Sequence, residues 1–126
     1  MIFFSAVVSP SVFASLNSKG SSRFLRTIFP RMFLFGFVIS LLAFILTILS
    51  NDLFNSILLI IIGLSFLLNR NYLTPLINKF RDQELEGNSK AAKNFKMMHL
   101  LSVLLFIINF FLLILVIVLN YINYNL

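Results

Sequence analysis

Residues 97–126 run for 30 positions without a Lys, Arg, Asp or Glu. A helix needs ~20 mostly apolar residues to cross the ~30 Å hydrocarbon layer of a bilayer, so this one stretch already commits the chain to lipid. Residues 32–51 are charge-free for 20 positions and residues 53–69 for 17. Of the 126 residues, 60% are apolar and 11% charged, against about 25% charged in an average soluble domain. A globule of this size has too little interior to hide so much apolar surface. A soluble enzyme, a secreted disulfide scaffold and a disordered chain are therefore excluded. The absence of cysteine from the sequence also removes disulfides, thiolate metal sites and thiol catalysis.

Helix is the only conformation that suits these stretches. Open strands cannot cross lipid, because their unpaired amides meet no water there. A closed barrel would alternate polar positions, and Ile57-Leu58-Leu59-Ile60-Ile61-Ile62 does not. The expected fold is all-α, an integral membrane four-helix bundle. It forms a single transmembrane domain over residues 1–126, with helices at about 1–16, 22–50, 53–79 and 91–120. The third helix reaches full length by continuing past Arg70, whose long stem carries its charge toward the interface. Residues 79–96, with Asp82-Gln83-Glu84 and Glu86-Gly87-Asn88-Ser89-Lys90, are expected to form a mobile polar loop.

The first helix is the anomaly. Only ~16 residues separate Met1 from the turn-like Asn17-Ser18-Lys19-Gly20, short of a full crossing. No basic region precedes the apolar run, and Ser9-Pro10 is a poor cleavage site, so a secretory signal is not indicated. The segment reads as the C-terminal two-thirds of a first transmembrane helix. On that reading the true start lies upstream and supplies about 5–12 further apolar residues.

The net charge of +6 comes from ten basic and four acidic residues. Lys19, Arg23, Arg26 and Arg31 form one basic block, and Arg70, Lys79, Arg81, Lys90, Lys93 and Lys96 the other. Both flank apolar spans, which is the signature of loops held on the cytoplasmic side. Nucleic acid is excluded as a partner, because phosphate binding needs a basic face free of lipid. The turn near Asn51-Asp52 and the chain after Ile107 carry no basic residue. The expected topology is therefore a multi-pass cell-membrane protein with basic loops inside and both termini outside. Tyr121 and Tyr124 would sit in the outer headgroup belt.

Small residues mark close helix contacts in lipid. Gly36, Ser40, Ala43 and Thr47 form one stripe on helix two; Ser56 and Gly63 lie on helix three, and Ser5 and Ser9 on helix one. Pro10, Pro30 and Pro75 remove backbone bonds and leave the carbonyls of Ala6, Arg26 and Asn71 without their usual partners. Pro30 could alternatively open helix two at its first turn. These prolines read as kinks or helix starts, or as a way to line a polar site with freed carbonyls. His99, Ser102 and Asn109 share a face of helix four, while Asn71, Thr74 and Asn78 share one of helix three beside Arg70. Polar groups at membrane depth face the bundle interior and pair. The candidate polar cluster is thus Arg31, Arg70, Asn71, Thr74, Pro75, His99, Ser102 and Asn109. Asn71, Thr74, His99 and Ser102 are expected to meet near the cytoplasmic side. No catalytic residues, phosphate loop or metal-ligand spacing can be assigned.

Phe3-Phe4-Ser5-Ala6-Val7-Val8-Ser9-Pro10-Ser11-Val12-Phe13 resembles the first-helix motif of the transmembrane protein 205-like family. Ile28-Phe29-Pro30-Arg31-Met32-Phe33 is similar to its second-helix pattern, and Asn71-Tyr72-Leu73-Thr74-Pro75-Leu76-Ile77 to its third. Phe95-Lys96-Met97-Met98-His99-Leu100-Leu101-Ser102, followed by Asn109, resembles its fourth. The resemblance implies a four-helix membrane domain of unknown function, and members carry more of helix one before Phe3. More distantly, the layout is similar to copper-resistance D-like proteins and membrane protoporphyrinogen oxidases, which are haem-linked and use further histidines. Three readings follow. The polar cluster organises the bundle or handles a small solute or ion, without cofactor. Alternatively, His99 is an axial ligand in a haem-associated membrane oxidoreductase. Or the small-residue stripes dock a second copy or another membrane protein.

Overall fold

The computed structural model describes residues 3–125, so the expectation about Met1 and the start of helix one lies outside the described residues. Helices account for nearly all of them, and no strand occurs among them. A π turn at Phe4–Val8 leads into α1 (Ser9–Ser15); α2 spans Ser18–Leu49 and α3 Leu53–Leu68. A second π turn, Asn69–Leu73, joins α3 to α4 (Thr74–Leu85), and α5 runs from Ser89–Asn125. Three rods are long and apolar enough to cross a membrane: α2 with 32 residues, the continuous Leu53–Leu85 with 33, and α5 with 37. At 1.5 Å per residue each is about 50 Å long. Together with α1, too short to cross, they make the all-α membrane bundle expected from the apolar stretches.

Local chemistry sets the helix ends. Asn17, Asp52 and Asn88 each precede a helix and accept an amide N–H three residues ahead, from Gly20, Asn55 and Ala91. Two helices stop in the same way. Asn51 (φ +56°) and Gly87 (φ +96°) take the left-handed conformation. Paired backbone bonds, Asn51 to Ile48 with Asp52 to Thr47 and Gly87 to Glu84 with Asn88 to Gln83, then satisfy the last carbonyls. One short stretch thus ends a helix and starts the next.

These ends correct the expected loop at residues 79–96. The chain there is helical except for Glu86, Gly87 and Asn88 between α4 and α5. Lys, Arg, Gln, Glu and Ala are good helix formers, and Arg81 donates to Glu84 one turn away at 2.7 Å. Polarity marked emergence from lipid, not loss of helix. Pro30 does not open a helix either; it sits inside α2, twelve residues after Ser18.

The Leu53–Leu85 rod is central, with α2 along α3 and α5 along α4 and α3. Phe33, Leu59, Ile62, Phe66 and Val116 form the buried core. The outward faces carry Leu49, Leu64, Phe111 and Ile117, all exposed for contact with lipid. The small-residue stripes of α2 and α3 lie against each other. A Cβ at Gly63 would stand 3.0 Å from Ser40 Oγ, and Ser56 Oγ donates to Thr47 Oγ1 at 2.9 Å. Ser5, from the third of these stripes, has a side chain outside the described residues. Because helices apart from one another also find partners in lipid, Thr47→Val should cost only about 0.6 kcal/mol and at most ~1.7. Unfolding in mixed micelles measures that loss.

Candidate functional site

Two prolines shape the site. Proline lacks an N–H and crowds the carbonyl four residues earlier. At Pro75 and Pro10 the chain answers with a widened turn just upstream. Thr74 N–H reaches back five residues to the Asn69 carbonyl, and Ser9 N–H reaches the Phe4 carbonyl. Such π turns recur at functional sites. In both cases a hydroxyl residue precedes the proline, and Ser9 and Thr74 line the same cleft.

The cleft encloses about 830 Å³ between α1, α2, α4 and α5. Its inner wall is aromatic, with Phe29, Phe33 and Phe106. Phe4, Phe29, Phe33 and Phe66 form a chain of ring contacts with centroids 5.3, 6.1 and 6.4 Å apart. Toward the basic ends of the helices the lining turns polar, with Ser21, Ser22, Arg26, Asn78, Arg81 and His99. No carboxylate lines it among the described residues. The nearby acids act from the rim. Arg26 Nη1 donates to Asp82 Oδ2 at 3.1 Å, while Nη2 donates to Oδ1, so the pair is bidentate across α2 and α4. It is half-exposed, a setting in which an ion pair adds little stability and chiefly fixes geometry. Arg81 lies 5.4 Å over the Phe95 ring, which stacks on His99 at 5.8 Å.

The candidate polar cluster divides. Thr74, His99 and Ser102 line the cleft together. Arg31, Asn71 and Pro75 are exposed and do not line it; Asn71 only accepts from Arg70 Nη1 at 3.0 Å. Arg70 is half-buried outside the lining, and its Nε has no partner. Asn109 is 1% exposed and also lies outside the lining. The partner of Ser102 is Asn69, whose Oδ1 accepts the hydroxyl at 2.6 Å. The expected meeting of Asn71 with Ser102 is thus corrected to Asn69: the π turn pairs Thr74 with Asn69, five residues back instead of four, and leaves Asn71 exposed. Asn69 and Asn109 are both fully buried with amide Nδ2 groups lacking a partner. Sequence reasoning missed Asn69, and it did not bring Arg26 and Asp82 together. The repeated hydroxyl-proline pair was the available signal for the first. Nothing local signals a contact between residues 26 and 82.

His99 is exposed, and no group of three or more metal-ligating His, Cys, Asp or Glu occurs among the described residues. Cationic and hydroxyl side chains and aromatic rings thus line the cleft together, and among the described residues no hydroxyl is hydrogen-bonded to His99.

Neither a curated protein nor a solved structure matches the chain. A family model, described as a domain of unknown function (DUF4149), matches residues 1–86. That match takes in α1 to α4 and stops in the turn before α5, so the wall with Phe95, His99, Ser102 and Phe106 is contributed by sequence beyond it. More than half of the chain is covered, and it belongs to the DUF4149 family of domains of unknown function.

Proposed function

We propose that this membrane protein binds a small amphipathic solute in the cleft, without transforming it. The observation that carries this reading is the graded lining: Phe29, Phe33 and Phe106 at one end, and Ser22, Arg26, Asn78, Arg81 and His99, with Phe95 among them, at the other. Binding sites are concave and mostly apolar, with a few convergent polar groups, and this cleft has that balance. Within the family, the order of the four helix motifs supports kinship with transmembrane protein 205-like members. The basic residues at the polar end support a cytoplasmic placement of that end in the cell membrane.

The test uses the protein in phosphatidylcholine nanodiscs with a neutral dodecylglycerol bearing a photoactivatable diazirine. Labelling should appear on the cleft walls, around Phe29–Phe33 and Phe95–Phe106, and saturate. Unlabelled dodecylglycerol should displace it. Labelling that rises without saturation and spreads equally over lipid-facing residues such as Ile39 and Ile117 would overturn the reading.

A further inference from the structure

We infer that the occupant of the cleft carries an anionic headgroup, a carboxylate or phosphate on a single apolar chain, and that Arg26 receives it on leaving Asp82. This rests on the cleft being an amphiphile site, as proposed above, and adds the charge and its receptor. The lining holds two guanidinium groups, Arg26 and Arg81, whose carboxylate partners Asp82 and Glu84 lie outside it, and the sole histidine, but no carboxylate among the described residues. Arg26 is already held in a fork by a carboxylate, with both Asp82 oxygens accepting from its two terminal nitrogens. A planar guanidinium fixed in that geometry is arranged for another carboxylate or for a phosphate.

Asp82 therefore stands where an anionic ligand would bind, as an occupant supplied by the chain itself. The pair is half-exposed, 34% on Arg26 and 53% on Asp82, so water or a ligand oxygen reaches it without disturbing the core. Ser22 and Asn78 line the same end and supply neutral donors for remaining oxygens. Below Arg26 on the same helix lie Phe29 and Phe33, one and two turns on, so a chain attached to the headgroup continues along aromatic surface. Exchange of one anion for another keeps the guanidinium paired throughout.

The Arg26–Asp82 pair gives the experiment a sign. In phosphatidylcholine nanodiscs, the diazirine probe is prepared as dodecyl phosphate and as neutral dodecylglycerol. The anionic probe should half-saturate at roughly tenfold lower concentration, the worth of one charge-assisted bond. Arg26→Gln should remove that preference, bringing the two probes to the same half-saturation. Arg23→Gln, the same charge change at an exposed residue outside the lining, should keep it. Asp82→Asn should strengthen the anionic probe several-fold, because the internal competitor is gone. Excess inorganic phosphate separates the sources: displacement of the probe identifies a free anion as sufficient, and retention identifies a lipid. Equal affinity for both probes would overturn the inference while leaving the amphiphile site standing; loss of saturable labelling by both would overturn the site as well. A weaker anionic probe in Asp82→Asn, in protein that still elutes as the wild type, would show the pair to be a clamp and overturn the exchange.

Discussion

Leucine in place of Gly36 is expected to separate α2 from α3. A Cβ alone at that position would stand 2.9 Å from the Phe66 ring. Phe66 is only 5% exposed and packs in the core with Phe33, so the ring has no free space to swing into. Overpacking of this kind costs typically 1–3 kcal/mol, and a rigid ring facing a four-carbon side chain places Gly36→Leu at about 3 kcal/mol. Gly87→Ala provides the contrast. Its Cβ would meet open space, but the backbone φ of +96° disfavours any side chain, for a cost of roughly 1–2 kcal/mol. Reversible unfolding in mixed micelles should rank the two in that order. Unchanged stability in Gly36→Leu would mean that the two helices do not meet at that glycine.

Cysteines placed at Asn69 and Ser102 are expected to crosslink almost completely under mild oxidation, whereas cysteines at Asn71 and Ser102 should stay apart. The native side chains of the first pair touch at 2.6 Å, while Asn71 is exposed. The sequence contains no cysteine, so neither pair has competing background. Crosslinking of the Asn71 pair without the Asn69 pair would show an unbroken α-helical register through residues 69–73.

That contrast also marks where the sequence was legible. Uninterrupted apolar stretches located the three crossing helices, because lipid leaves the backbone no other way to satisfy itself. The glycine and hydroxyl stripes located the α2–α3 contact, because only small side chains permit that approach. The azimuth of the polar residues was legible only where the turn is regular. Thr74, His99 and Ser102 lie where a 3.6-residue period places them, but upstream of Pro75 the widened turn hands the inner position from Asn71 to Asn69. The polar stretch from Lys79 to Lys96 was misleading for a different reason. Hydropathy reports whether a segment suits lipid, while helix continuity past the interface depends on propensity, an i,i+3 pair and the cap at Asn88. Arg26 and Asp82 lie 56 residues apart, and their meeting is decided by how three rods align.

The length of those rods has a consequence for where the protein rests in the bilayer. Rods of 32 to 37 residues exceed the ~30 Å of hydrocarbon by about 20 Å. Apart from Arg31 and Arg70, which lie partway along their rods, both basic blocks fall at the same end of the bundle, whereas the turn around Ser50, Asn51 and Asp52 at the opposite end carries no basic residue. With those basic ends in water, a thicker membrane would not be met by sinking further, which would draw Arg26, Arg81 and Asp82 into hydrocarbon; reduced tilt or local thinning would absorb the difference instead. A bundle seated that way would be moored at one leaflet like a float with a weighted keel. Its cleft would then keep a constant height relative to the headgroups while the other end adjusts.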